Sequence, residues 1–224
     1  MIPWVHLGSA TMPGGGGELR LMQRGAEYSI MAGPIELMNS RLAGSETALA
    51  TLTCERLKGR KNPHLLIGGL GMGFTLRAAL GALGSDGKVT VAELVPELIG
   101  WVRGPLAGVA GASLDDPRVT LVTGDVGTSI RTARAAYDAI LLDVDNGPEG
   151  LTRKANDRLY DSEGLGAAKR ALRPGGVLAV WSSSPNPAFT RRLRNGGYEV
   201  KEVKARAHGD RGARHIIWIA LSPG

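Results

Sequence analysis

The chain has 224 residues, 43% of them hydrophobic and 21% charged, enough for one sizeable domain with a small appendage and too few for two full domains. That apolar fraction excludes a disordered chain, and 33 glycines scattered without period among apolar runs exclude collagen. The net charge of +6 raises a nucleic-acid reading. Its late cluster (Arg191, Arg192, Arg194, Lys201, Lys204, Arg206, Arg211, Arg214) has no aromatic cluster interleaved with it for bases to stack on, so it reads as a solvated basic face with no nucleic-acid partner.

The longest clean apolar runs, such as Val177–Trp181 and Ile216–Leu221, have strand length, well short of the ~18 residues that cross a bilayer. The first residues show no basic start followed by an apolar core, so no signal peptide is expected. Cys54 is the single cysteine, and His6, His64, His208 and His215 lack ligand spacing. The expectation is a cytoplasmic protein that binds no metal and has no membrane partner.

In chain order, Glu18–Met22, Glu27–Met31 and Ile35–Met38 are short apolar pieces separated by turns, suited to small antiparallel strands. Ser45–Leu57 reads as an amphipathic helix, with Ser45 as its N-cap and Glu46 in an acidic first turn. From Pro63 onward, short apolar runs alternate with helical ones. His64–Gly69, Lys88–Glu93, Val119–Gly124, Tyr137–Asp143 and Gly176–Ser183 read as strands, and Thr75–Leu83, Pro96–Val109, Val126–Ala135 and Ser162–Leu172 as helices. Alternation at this spacing implies an α/β fold, a doubly wound, mostly parallel sheet. Tyr198–Arg206 and His215–Leu221, joined by a polar turn, add an antiparallel edge hairpin and bring the sheet to seven strands. The expected division is residues 1–44 as an N-terminal β cap and 45–224 as a ligand-binding domain.

The first of those parallel strands runs into Gly68-Gly69-Leu70-Gly71-Met72-Gly73-Phe74-Thr75 and then a helix. Glycines at that turn let backbone approach a ligand, and the helix start supplies unpaired N–H groups. The second strand ends in Glu93, at the distance expected of an acid that accepts ribose hydroxyls. The third ends in Gly124-Asp125, where a carboxylate can accept from an adenine amino group and Val126 adjoins it. Gly69, Gly71, Gly73, Glu93, Asp125 and Val126 are therefore the candidate set for an adenosine-type ligand. G-x-G-x-G spacing, the closing hairpin and the lack of a second mononucleotide-binding half favour an S-adenosyl compound over a dinucleotide.

The fourth strand ends in Asp143-Val144-Asp145, beside the first strand where the sheet order should reverse. From Asp143 to Glu163 there are six carboxylates against three cations, an acidic mouth suited to a cationic amine. An amine with a pKa near 10.4 arrives protonated and must lose a proton before it attacks a sulfonium. Asp143 is the candidate base, Asp145 or Glu46 the group that holds the far end of the substrate, and Tyr160 a group that could orient the amine.

Gly69–Arg77 (GLGMGFTLR), Val91–Leu94 with Glu93, Asp115–Asp125 (DDPRVTLVTGD), Tyr137–Asp143 (YDAILLD), Gly147-Pro148 and Leu159-Tyr160 together resemble the spermidine synthase (polyamine aminopropyltransferase) family. The likeness spans roughly Pro63–Ser183. It implies a class I methyltransferase-like Rossmann fold, Asp143 as catalytic base, and transfer of an aminopropyl group from decarboxylated S-adenosylmethionine to a polyamine-type amine. The alternative is methyl transfer from S-adenosylmethionine itself. Where the family carries an amine-gripping Asp in the glycine loop, this chain has Met72, and the family's cap motif is matched only by Gly44-Ser45-Glu46. A homodimer is compatible with an edge-exposed cap.

Overall fold

The computed structural model describes residues 2–15, 17–144, 147–148, 156–208 and 211–224. Two sheets organise the chain. Strands β1 (Val5–Thr11), β2 (Glu18–Arg24), β3 (Glu27–Ala32) and β4 (Ile35–Asn39) form an antiparallel meander. The larger sheet contains β5 (His64–Gly68), β6 (Lys88–Glu93), β7 (Val119–Thr123), β8 (Tyr137–Leu142), β9 (Leu172–Ser182), β10 (Glu199–His208) and β11 (Arg211–Leu221). Its order is β10-β11-β9-β8-β5-β6-β7, with β5 through β9 parallel and β11 antiparallel to both its neighbours, β9 and β10. The expected seven strands and their sense are those observed.

Period-two alternation divides the buried side chains between two cores. Leu65, Ile67, Ala139, Leu141, Ala179 and Ile217 face α1 (Gly44–Arg56), α2 (Phe74–Ala82), α3 (Pro96–Arg103) and Leu19, Leu21 and Ile30 of the small sheet. Leu66, Ile140, Leu142, Val180 and Trp218 face α5 (Val126–Thr132), α7 (Ser162–Ala171) and α8 (Pro187–Asn195). Burial on both faces is why these strands read as continuous apolar runs.

Several local expectations are corrected. The helix expected over Pro96–Val109 is two helices, because Gly104 leaves the helical region and Pro105 has no N–H to continue it; α4 (Ala107–Ala110) follows. Asn186 caps α8 by accepting from Phe189 N at 2.8 Å, with Pro187 in its first turn. That helix, read from sequence only as a cluster of arginines, covers the sheet through Phe189 and Leu193. Strand β1 was not expected either. Ser45 is not the N-cap: α1 begins at Gly44 after Ala43, with no side-chain cap. Gly44 is required where it lies, since a Cβ would meet the Arg206 carbonyl oxygen at 2.6 Å. This close packing on β10 draws the start of α1 over the hairpin and turns Ser45 inward.

Candidate active site

The crevice lies at the carboxyl ends of β5, β6, β7 and β8, where the chain winds one way from β5 to β6 and the other way to β8. Its floor is the loop after β5. Gly69, Gly71 and Gly73 all have positive φ (+89°, +52° and +83°), a region other residues enter at a cost. At Gly69 a side chain would also run into the backbone carbonyl of Asp143. Gly73 caps α2 in the left-handed conformation and faces Ala110, behind the pocket. Gly69 and Gly71 line the pocket directly.

Glu93 is buried beneath this loop. One of its carboxylate oxygens accepts from Leu70 N and the other from Val95 N, each at 2.8 Å. The acid expected to meet a ribose therefore also fastens the glycine loop to the end of β6. Burial pushes its carboxyl above the ordinary carboxylate range, and the N–H donors oppose that. Asp125 caps α5, accepting from Gly127 N at 3.2 Å, while Arg131 approaches its other oxygen at 3.4 Å. Asp125 and Val126 lie on the same pocket wall as Glu93.

Asp143 follows β8 by one residue and points to the side of the sheet carrying α1 and α2. Its Oδ2 accepts a 2.6 Å hydrogen bond from the buried hydroxyl of Thr75, in the first turn of α2. Among the described residues no cation neutralises it. Burial and the nearby Glu46 charge push its carboxyl up to about 7, against the Thr75 hydrogen bond, which favours the ionised form. Glu46 enters the same pocket from α1 and is likewise raised by burial. Its Oε2 accepts from Ser45 Oγ at 2.7 Å, and Ser45 Oγ lies 2.8 Å from His215 Nδ1.

The structure thus brings Gly69, Gly71, Glu93, Asp125, Val126, Asp143 and Glu46 around one cavity. Tyr160 is elsewhere: its ring is buried in the other core, edge-on to Phe189 at 5.6 Å, because α6 (Asp157–Tyr160) lies on the α7 side of the sheet. Asp145 lies outside the described residues. Met12, just after β1, and Leu19, Leu37 and Met38 of the small sheet line the pocket as its lid; sequence reasoning expected a cap over residues 1–44 without naming these residues. It also missed Trp181 at the end of β9, which lines the pocket and stands edge-on to His215 at 4.7 Å. Thr75 stood in a quoted motif without a role.

A sheet of this order, with a glycine loop after its first parallel strand and acids at the next three strand ends, defines the class I methyltransferase-like Rossmann fold. The fold is shared with a spermidine synthase solved in complex with the transition-state analogue AdoDATO (TM-score 0.76, 17% identity) and with spermidine synthase from Thermotoga maritima (TM-score 0.77, 17% identity). In both cases 97% of this chain and 72% of the other are covered.

The spermine/spermidine synthase domain model matches residues 48–192, and the chain belongs to that family. A polyamine aminopropyltransferase of Mycobacterium tuberculosis is 36% identical over 145 residues, 61% of this chain and 27% of that protein. Putrescine N-methyltransferase 1 of Nicotiana tabacum is 37% identical over 121 residues, 54% of this chain and 30% of that protein. The matched segments make up roughly three-tenths of these curated relatives' length. Among the described residues, no helix is long and apolar enough to cross a membrane, and no cluster of His, Cys, Asp and Glu could hold a metal ion.

Proposed function

We propose that this chain is an aminopropyltransferase that moves the aminopropyl group of decarboxylated S-adenosylmethionine onto a small cationic amine of the polyamine type. One observation carries the choice of donor. The described residues lining the pocket include four carboxylates (Glu46, Glu93, Asp125 and Asp143) and no Lys, Arg or His. Intact S-adenosylmethionine would bring an α-carboxylate into that acidic space with no counter-charge, whereas the decarboxylated compound and a polyamine bring only cations. The family supports the same reading.

In the proposed mechanism Glu93 and Asp125 hold the nucleoside over the glycine loop, and residues 1–44 act as a cap whose methionines and leucines exclude water. Glu46 draws in the acceptor ammonium. Asp143 accepts a proton from it, and the freed lone pair attacks the carbon next to sulfur in line with the breaking C–S bond. The electrons of that bond stay on sulfur, and methylthioadenosine leaves neutral.

Met72 has less than 2% of its surface exposed, so the loop position that carries an acid in the family adds no charge here. Titration calorimetry tests the reading with S-adenosylmethionine, its decarboxylated form and methylthioadenosine. The decarboxylated donor is expected to bind more tightly than the intact one, and putrescine to be alkylated with release of methylthioadenosine. Preference for intact S-adenosylmethionine, with adenosylhomocysteine as product, would show methyl transfer instead.

A further inference from the structure

Aminopropyl transfer to an ammonium releases one proton per turnover: the amine loses an N–H, gains an N–C bond and ends as a secondary ammonium, while sulfur leaves neutral. The lidded pocket must pass that proton outward before Asp143 can act again. We propose that Glu46, Ser45 and His215 form the route by which the proton taken from the acceptor amine leaves the pocket. The inference rests on the reading of this pocket as a site of amine alkylation.

The three groups form an unbroken chain: 2.7 Å from Glu46 Oε2 to Ser45 Oγ, and 2.8 Å from Ser45 Oγ to His215 Nδ1. Glu46 faces Asp143 across the cavity, while His215 is only partly buried, on β11 of the edge hairpin. A serine hydroxyl carries one hydrogen. With Glu46 ionised, that hydrogen goes to Glu46, so the imidazole must donate from Nδ1, leaving the Nε2 lone pair free. When Glu46 holds the proton and the imidazole carries its hydrogen on Nε2, Glu46 donates to Ser45 and Ser45 to Nδ1; shifting both protons makes an imidazolium, which releases the Nε2 hydrogen and leaves Nδ1–H behind. A turn of the ring then returns that hydrogen to the Nε2 side for the next cycle.

The surroundings of His215 keep the imidazole able to release its charge. Trp181 on β9 presents an apolar ring edge, and Ala205 stands opposite on β10. Lys204, Arg206 and Arg214 are exposed on residues that alternate to the other face. Burial lowers the imidazole's proton affinity, so a proton arriving from a carboxyl is passed on and not trapped. Ser45, 0% exposed and hydrogen-bonded only sideways, otherwise gains nothing from its place in the first turn of a helix it does not cap.

His215→Asn separates transport from support, since its amide can still donate to Ser45 but cannot be protonated. The expected result is a roughly 10- to 100-fold fall in kcat, an unchanged KM for the amine, and partial recovery with added imidazole. Wild-type kcat in His215→Asn, or a change confined to KM, would overturn the proposal. A second measurement does not need turnover. In 15N-histidine NMR the neutral His215 should be the Nδ1-protonated tautomer, lose that preference in Ser45→Ala, and titrate at lower pH in Glu46→Gln. Identical titration in all three proteins refutes the route even if the enzyme is active. Coupled titration in a protein that transfers no aminopropyl group refutes the functional reading and leaves the route standing.

Discussion

Strand β8 carries a carboxylate near each end, and the two live in opposite environments. Asp138, at the start, is 3% exposed and fully partnered: Arg60 reaches Oδ1 at 2.8 Å, while Arg173 at 2.6 Å and His64 N at 2.8 Å reach Oδ2. Asp143, just past the other end, has one hydroxyl and a second carboxylate for neighbours and, among the described residues, no cation. The first pins β5, β8 and β9 together at the edge away from the ligand. The second is left under-neutralised, and that is the condition in which a carboxylate takes protons near neutral pH. Five residues apart, the same side chain is a fastener in one place and, in the proposed mechanism, a base in the other.

The largest effect expected from breaking this contrast is on turnover. Asp143→Asn keeps the shape and can still accept from Thr75, so donor affinity measured by calorimetry should barely change. Its kcat should fall by about 100- to 10,000-fold, the scale of a lost general base. Full activity would remove Asp143 from the mechanism. Asp138→Ala should do the reverse. With two guanidinium groups and a backbone N–H abandoned, unfolding in urea should show a loss of about 3 kcal/mol, and the protein that remains folded should keep its KM values.

Part of this contrast was legible in the sequence. Apolar runs with glycine or acid at their ends announced the parallel strands, and their order put Glu93, Asp125 and Asp143 at one edge before any coordinates. Asp138 gave no signal, because its partners Arg60 and Arg173 are far off along the chain and meet it only when β5, β8 and β9 pair. The cap was legible as small alternating strands, but those strands do not announce which of their side chains reach the pocket. Ser45 misled because a serine before an acidic helical turn reads as a cap. The close packing of Gly44 on β10 moved the helix start and gave the hydroxyl to Glu46 and His215 instead. Tyr160 sat in a quoted motif, yet α6 lies on the α7 side of the sheet and carries the ring into the other core.

A carboxyl held this far above its ordinary range inside a pocket should also cost stability. The folded state keeps the Asp143 proton up to about pH 7, against an ordinary value of 3.8. The folded chain therefore binds more protons than the unfolded one between those limits. Stability from this group is complete below pH 4 and is lost as pH rises through 7. Asp143→Asn should accordingly raise the melting temperature at pH 8 and leave it nearly unchanged at pH 4. On the order of 2 kcal/mol is expected at the higher pH. An equal shift at both values would mean that the gain comes from packing and not from the charge.

The smallest expected effect is the sharpest test of what sets the working pH. Thr75 is buried and donates at 2.6 Å, a bond that favours the ionised carboxylate and so opposes the upward push of burial and Glu46. Thr75→Val keeps the shape and removes the donor, so Asp143 should hold its proton to a higher pH still. The acid limb of kcat, which needs the ionised base, should move upward by up to about one unit, with less than about tenfold loss at pH 7 and recovery at pH 9. Glu46→Gln should move the same limb down, since it removes a like charge. Opposite displacements from two neutral substitutions on either side of one carboxyl would assign the limb to Asp143. A limb that ignored both would belong to another group.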